Sequence, residues 1–163
     1  MQLRHPTHTM YDSVDLSQIP ADARYIAGYV DGNWPTYETI RARWHRARVL
    51  SIAVTAAHDA ECLDVELGDA TPAQAPGWAW RQLARGATRP CIYASLSVMP
   101  AVIAAMSRAG LHRTVYRLWV AHYIDQQPRE VPAGYGAIQW TCHARGRNLD
   151  QSLTVPGFFN ARP

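Results

Sequence analysis

Asp64 and Glu66 stand two residues apart in the short run Cys62-Leu63-Asp64-Val65-Glu66. On a β-strand, residues i and i+2 share a face, with backbones about 6.5–7 Å apart. Two carboxylates on one face repel, so at least one holds its proton more tightly than a free carboxyl. A protonated carboxylic acid beside an ionised one is the pair that cuts a glycosidic bond. The same spacing also fits two solvated acids at a strand end. What decides between these readings is whether the rest of the chain builds a site around the pair.

Short apolar or β-branched runs recur at 10–16, 25–30, 49–55, 62–66, 91–95, 116–123, 137–141 and 149–154. Most do not alternate cleanly, which suits strands buried on both faces of a parallel sheet. Helices fall between them. Thr36 is placed to cap one that begins at Tyr37. Thr71-Pro72-Ala73-Gln74 reads as a cap, a first-position proline and a third-position amide, opening a helix that runs to about Arg85 and stops at Gly86. A third helix is expected from Ser97 to Arg108, with Gly110 as its terminator.

Strands alternating with helices imply right-handed crossovers and a parallel sheet, and this number of strands suggests closure. Such barrels usually take about 250 residues, and the links 56–61 and 142–148 are too short for helices. The expectation is an α/β fold, a compact and degenerate (β/α)8 TIM-like barrel with some outer helices missing. A doubly wound open sheet is the alternative. In a barrel, polar residues at the carboxyl ends of strands share one rim, and Asp12 or Asp15, Asp31, Asp64 with Glu66, Gln139 with Trp140, and Asp150 all fall near strand ends.

Composition sets the outer bounds. The 163 residues form one domain, 1–163, and 48% hydrophobic against 18% charged residues excludes wholesale disorder. The formal net charge of +3 is mild, and the basic stretch 41–48 reads first as a solvated helix face. An acid-rich rim argues against nucleic acid, whose phosphates demand clustered positive charge. Cys62, Cys91 and Cys142 lie far apart in apolar segments and read as free thiols, not as a disulfide framework or a zinc site. No metal-ligand spacing or phosphate-binding glycine loop is present, so no cofactor is expected. Residues 1–8 are polar and lack the apolar segment of a signal peptide, and no run reaches membrane-spanning length. Work on a cell wall would then need export by another route or release by lysis; otherwise the location is cytoplasmic.

The motifs also resemble a known family. Leu63-Asp64-Val65-Glu66 is similar to the Asp-x-Glu strand of glycoside hydrolase family 25, the lysozymes that cut peptidoglycan between N-acetylmuramic acid and N-acetylglucosamine. Pro90-Cys91-Ile92-Tyr93 resembles its Pro-Gly-Ile-Tyr strand, and Leu118-Trp119-Val120-Ala121-His122-Tyr123 its Leu-Trp-Ile-Ala-x-Tyr. Ile138-Gln139-Trp140 stands where the family has Gln-Tyr, and Leu149-Asp150-Gln151 where it has Val-Asp-Leu-Asn. The matches come in the family's order and sit closest to a shortened actinobacterial and phage branch. The amino-terminal third departs from the pattern, with Tyr29-Val30-Asp31-Gly32 replacing its second strand.

The resemblance implies a muramidase with Glu66 as general acid and Asp64 as its partner, which stabilises positive charge or orients the substrate's N-acetyl group. It implies Asp150 as a further acid of the rim and a first-strand acid, Asp12 or Asp15. Asp12 is preferred because Met10, Asp12 and Val14 would share one face. Asp31, Tyr93, Trp119, Tyr123, Gln139 and Trp140 would contact the glycan, with Trp119, Tyr123 and Trp140 as stacking surfaces. If Asp64 raises the pKa of Glu66, Asp64→Asn should lower it. A carbohydrate-binding barrel without turnover is the alternative reading.

Overall fold

Alternation along each strand sorts side chains into a layer facing the lumen and a layer facing outward. The computed structural model describes residues 7–159, so most of the polar stretch 1–8 lies outside the described residues. Eight strands, β1 (His8–Asp12), β2 (Tyr25–Tyr29), β3 (Arg48–Ala53), β4 (Cys62–Val65), β5 (Cys91–Ser95), β6 (Arg117–Ala121), β7 (Ala137–Thr141) and β8 (Asp150–Thr154), close into a barrel in sequence order. The strands are parallel from β1 through β7, whereas β8 runs antiparallel to both β7 and β1. An entirely parallel sheet is therefore not what forms. The link 142–149 doubles back directly after β7 as a hairpin, where a parallel return needs a crossover of about a dozen residues or more.

Three helices cover the outside: α1 (Tyr37–Arg43), α2 (Ala75–Ala84) and α3 (Met99–Arg108). Gly28 lets α1 lie close on β2, since a Cβ there would meet Ile40 Cδ1 at 2.8 Å and Tyr37 Cα at 3.0 Å. Thr36 does not cap α1 through its side chain. Its Oγ1 instead accepts from Tyr29 N at 3.1 Å, tying the helix start to the end of β2. The expected capping box before α2 forms only in part. Thr71 N donates to Gln74 Oε1 at 2.9 Å, but regular helix begins at Ala75, with Pro76 in its first turn. Gly86 follows α2 at φ 96°, the left-handed conformation that ends a helix at low cost for glycine.

The missing β3–β4 helix has a substitute. Residues 54–61 cross back as irregular chain with a turn at 55–58, where His58 N donates to Thr55 O at 3.2 Å. α2 clamps this crossover. Trp78 Nε1 donates to His58 O at 2.9 Å, Arg81 Nη2 to Ala56 O at 2.7 Å, and Gln82 Nε2 to Asp59 Oδ1 at 2.8 Å. Asp31 holds the same loop from the β2 side, accepting from Val54 N at 2.7 Å, Thr55 N at 3.1 Å and Thr55 Oγ1 at 2.7 Å.

The lumen is packed, with Met10, Ala27, Leu50, Ile52, Cys62, Cys91, Trp119 and Ala137 filling its middle and Phe158 and Phe159 closing the amino-terminal end. Outward-facing Leu118 and Val120 meet the α2–α3 core instead. The basic stretch 41–48 is largely spent locally. Arg41 pairs with Glu38 at 3.4 Å, Arg43 stacks on Trp44 at 4.6 Å, and Arg48 pairs with Glu61. No helix among the described residues is long and apolar enough to cross a membrane.

All three cysteines are free, and Cys62 and Cys91 face each other across β4 and β5 with no exposed surface. Burial raises the pKa of Cys62 and, first among its causes, that of Cys142. Thiol titration of the denatured protein without reductant is expected to count three groups. In the native protein Cys142 should react first, because it alone is partly exposed. A native Cys62 that reacts as fast as Cys142 would mean the lumen opens.

Candidate active site

One step above the packed lumen the barrel turns polar. Asp12 lies two residues beyond Met10, Tyr29 two beyond Ala27, Asp64 two beyond Cys62, Tyr93 two beyond Cys91 and Gln139 two beyond Ala137. Each therefore points into the lumen at the carboxyl end of its strand. Because β8 is reversed, its amino-terminal residue reaches the same rim, and Asp150 pairs in register directly opposite Asp12. Facing residues of an antiparallel pair bring their Cβ atoms within about 4.5–5.5 Å. Asp15 takes no part: it accepts from Ser17 N at 3.0 Å and Gln18 Nε2 at 3.0 Å, capping the turn at Leu16–Gln18.

Burial and mutual repulsion control these acids. Asp12 is only 3% exposed. Burial first, then Asp150, pushes its pKa well above the ordinary range, and it is hydrogen-bonded to Asp150. Asp12 Oδ2 itself is buried without a hydrogen-bond partner. Asp150 is also raised by burial, offset by its bonds to Asp12 and Gln139.

Asp64 and Glu66 divide by depth. Asp64 is 4% exposed, and burial followed by the charge of Glu66 raises its pKa strongly. Its Oδ1 has no hydrogen-bond partner. Glu66, just past the end of β4, is partly exposed. Burial raises its pKa, a hydrogen bond from the Tyr93 hydroxyl lowers it, and the Asp69 and Asp150 charges raise it further. The charged neighbours that raise Glu66 are thus Asp69 and Asp150, while within the pair it is Asp64 that the charge of Glu66 raises.

Asp64, Glu66 and Asp69 can each bring one oxygen within 4.8 Å of the other two. A trio of oxygen donors at that spacing also has the chemistry to hold a hard divalent cation. Tyr29 and Tyr93 have pKa values raised first by burial, so both remain protonated donors facing the acids. Tyr123 is half exposed, accepts from Gln139 Nε2 at 3.3 Å, and has its pKa pushed up to about 12 by burial.

The remaining expected residues have other surroundings. Both Asp31 oxygens are engaged by residues 54–58, including His58 Nδ1 at 2.8 Å. Burial raises its pKa, but these bonds outweigh it and leave the group below the usual range. Trp119 is 1% exposed and forms the floor of the pit, its Nε1 donating to Ser152 Oγ at 3.0 Å and its ring set edge-on to Tyr93 at 4.7 Å. It supports Tyr93 and presents no open ring face. Trp140 is the unpaired residue at a strand irregularity between Gln139 and Thr141 and is half-buried.

Around this pit stand exposed apolar side chains that, Tyr123 apart, the sequence did not single out as site residues. Val14, Trp34, Leu67, Leu96, Tyr123 and Ile124 are all exposed, and each follows the carboxyl end of a barrel strand. Trp34 has 63% of its surface open. The signal lay in Asp31-Gly-Asn-Trp-Pro, a turn-rich loop directly after the second strand. Tyr29 and Asp69 were also legible only through position, one by counting two from Ala27 and the other by following the end of β4.

The barrel has solved counterparts. A muramidase from Trichobolus zukalii superposes with a TM-score of 0.59 at 14% identity, covering 92% of this chain and 94% of that one. A muramidase from Acremonium alcalophilum gives 0.58 at 12% identity, over 95% and 100% of the two chains. The chain has the fold of these muramidases. An uncharacterized B. stearothermophilus protein shares it as well, with a TM-score of 0.68 at 18% identity over 93% of this chain and 97% of that one. No family model matches the sequence, and no curated protein matches it. Within this muramidase-like barrel, the acid-lined pit lies at the carboxyl rim, where barrels of this type carry their chemistry.

Proposed function

We propose that the protein is a cell-wall glycosidase that hydrolyses the β-1,4 bonds of peptidoglycan, with Glu66 as general acid and Asp64 as its partner. The observation that carries this reading is the pair itself: a partly exposed acid at the mouth of a pit, beside a buried one, in a muramidase-like barrel. Glu66 stands where a glycosidic oxygen can reach it, and its raised pKa keeps a proton available for the leaving group. Asp64, deeper and harder to ionise, has an unpartnered oxygen suited to an amide such as the substrate's N-acetyl group.

One oxygen of each acid lies within 4.8 Å of the other, close enough for both to reach one sugar. Asp12 and Asp150 supply a second, facing pair of carboxyls on the far wall, and Tyr93 orients Glu66. Trp34 and Tyr123 offer ring faces to sugars outside the pit. Asp31 contributes by holding the β3–β4 loop.

The test is release of new reducing ends from purified peptidoglycan, followed by borohydride reduction and analysis of which sugar was reduced. Reduced muramic acid is the expected product. Co-sedimentation with peptidoglycan and no new reducing ends would instead establish a binding module.

The electrostatics yield a separate expectation. Removing a negative charge that raises an acid's pKa lowers that pKa. Asp69→Asn should therefore shift the basic limb of the pH–kcat/KM profile to lower pH, because Glu66 loses its proton sooner. Asp64→Asn should depress kcat while leaving that limb in place. A limb that moves in the Asp64 variant and not in the Asp69 variant would reverse the assignment of neighbours.

A further inference from the structure

The opposite end of the barrel carries a second charged feature, unrelated to the acids. Arg117 opens β6 and is 4% exposed, with its guanidinium 4.8 Å from the ring centre of Phe158. Its Nε and Nη1 are buried and have no hydrogen-bond partner. A buried charge with unmet donors is costly unless an opposite charge offsets it. None of the ion pairs among the described residues includes Arg117.

Arg117 lines a cavity of about 620 Å³ at the amino-terminal mouth, together with Arg89 and Arg113. Arg89 precedes β5 and Arg113 precedes β6, and both side chains are exposed beside the opening. Arg113 is anchored, stacking on Tyr116 at 4.6 Å and donating to Gly134 O. No acidic residue is among the described residues lining this space. The volume falls in the range of small-molecule sites, about 300–1,000 Å³.

We propose that this amino-terminal mouth binds a phosphate group. Guanidinium groups from separate segments converge on it, two at the opening and one in its wall. A carboxylate presents two oxygens in one plane and is satisfied by a single arginine fork, whereas a tetrahedral phosphate presents acceptors in several directions. Arg89 and Arg113 make the direct contacts, and buried Arg117 holds the positive potential that selects a multiply charged anion. The ligand is either free phosphate or a phosphate ester, and the site is independent of the glycosidase reading.

Calorimetric titration with inorganic phosphate and with glycerol 3-phosphate, against chloride at matched ionic strength, tests this on the whole chain. Saturable binding of phosphate is expected, weakened at least tenfold by Arg117→Met and by the double variant Arg89→Gln/Arg113→Gln. Binding of both ligands assigns the site to phosphate esters, and binding of inorganic phosphate alone assigns it to the free ion. Because Arg89 and Arg113 are exposed, the double variant keeps the test valid if Arg117→Met does not fold. Peptidoglycan turnover in phosphate-free buffer should be unchanged in the double variant. The proposal fails if phosphate gives no more binding heat than chloride, or if the double variant binds phosphate as the wild type does.

Discussion

Glu66→Gln is expected to lower kcat for peptidoglycan by roughly 10²- to 10⁴-fold, the usual contribution of a positioned general acid. The amide matches the carboxyl in shape and still accepts the hydrogen bond from Tyr93. What it loses is a transferable proton. Since Glu66 is partly exposed at the end of β4, the change creates no cavity and no buried orphan charge. KM should stay close to the wild-type value, because the missing interaction belongs to the transition state. Reducing-end release at several substrate concentrations separates the two constants. A variant that keeps more than a tenth of wild-type kcat would remove Glu66 from the role of acid.

The buried acids predict a large effect on stability, of opposite sign to their effect on activity. Asp12, Asp64 and Asp150 all have folded-state pKa values raised first by burial. An unfolded Asp titrates near about 3.9. Above that value the folded chain binds more protons than the unfolded one, so stability falls as pH rises through the folded pKa values. Asp31 and Asp59, held low by hydrogen bonds and by Arg81 and Arg85, act in the other direction and lose their contribution in acid. The stability maximum is therefore expected at mildly acidic pH. Asp12→Asn removes the burial penalty at neutral pH while keeping a donor for Asp150. It should raise Tm at pH 7 by about 3–6 °C, following from roughly 1–2 kcal/mol at this chain length. Near pH 4 the gain should close, since wild-type Asp12 is then neutral as well. Scanning calorimetry across that range decides it, and a gain that does not vary with pH would mean packing, not ionisation, is responsible.

The Asp64–Glu66 pair shows how far the residues alone could lead. The two-residue spacing put both acids on one face, and strand counting placed Asp12 or Asp15, Gln139 and Asp150 near strand ends. These are local facts, set by the period of a strand and the shortness of its loops. The difference in environment within the pair was not local. It depends on depth, with Asp64 inside the lumen and Glu66 at its mouth, and on Asp69 folding back beside them.

The same division runs through the whole chain. By itself the sequence determined the number of strands, the positions of the helices and the candidacy of the acids, because periodicity, glycine stops and loop lengths act over a few residues. Only the tertiary structure decided that β8 runs backwards, and this reversal carries Asp150 to the acid rim opposite Asp12. Barrel closure likewise turned Trp119 from a candidate stacking surface into a buried floor and gathered the exposed Trp34 at the rim. It also set Arg89, Arg113 and Arg117 around one opening. Direction, depth and convergence come from how distant strands pair, and distant pairing leaves no mark on the spacing of neighbouring residues.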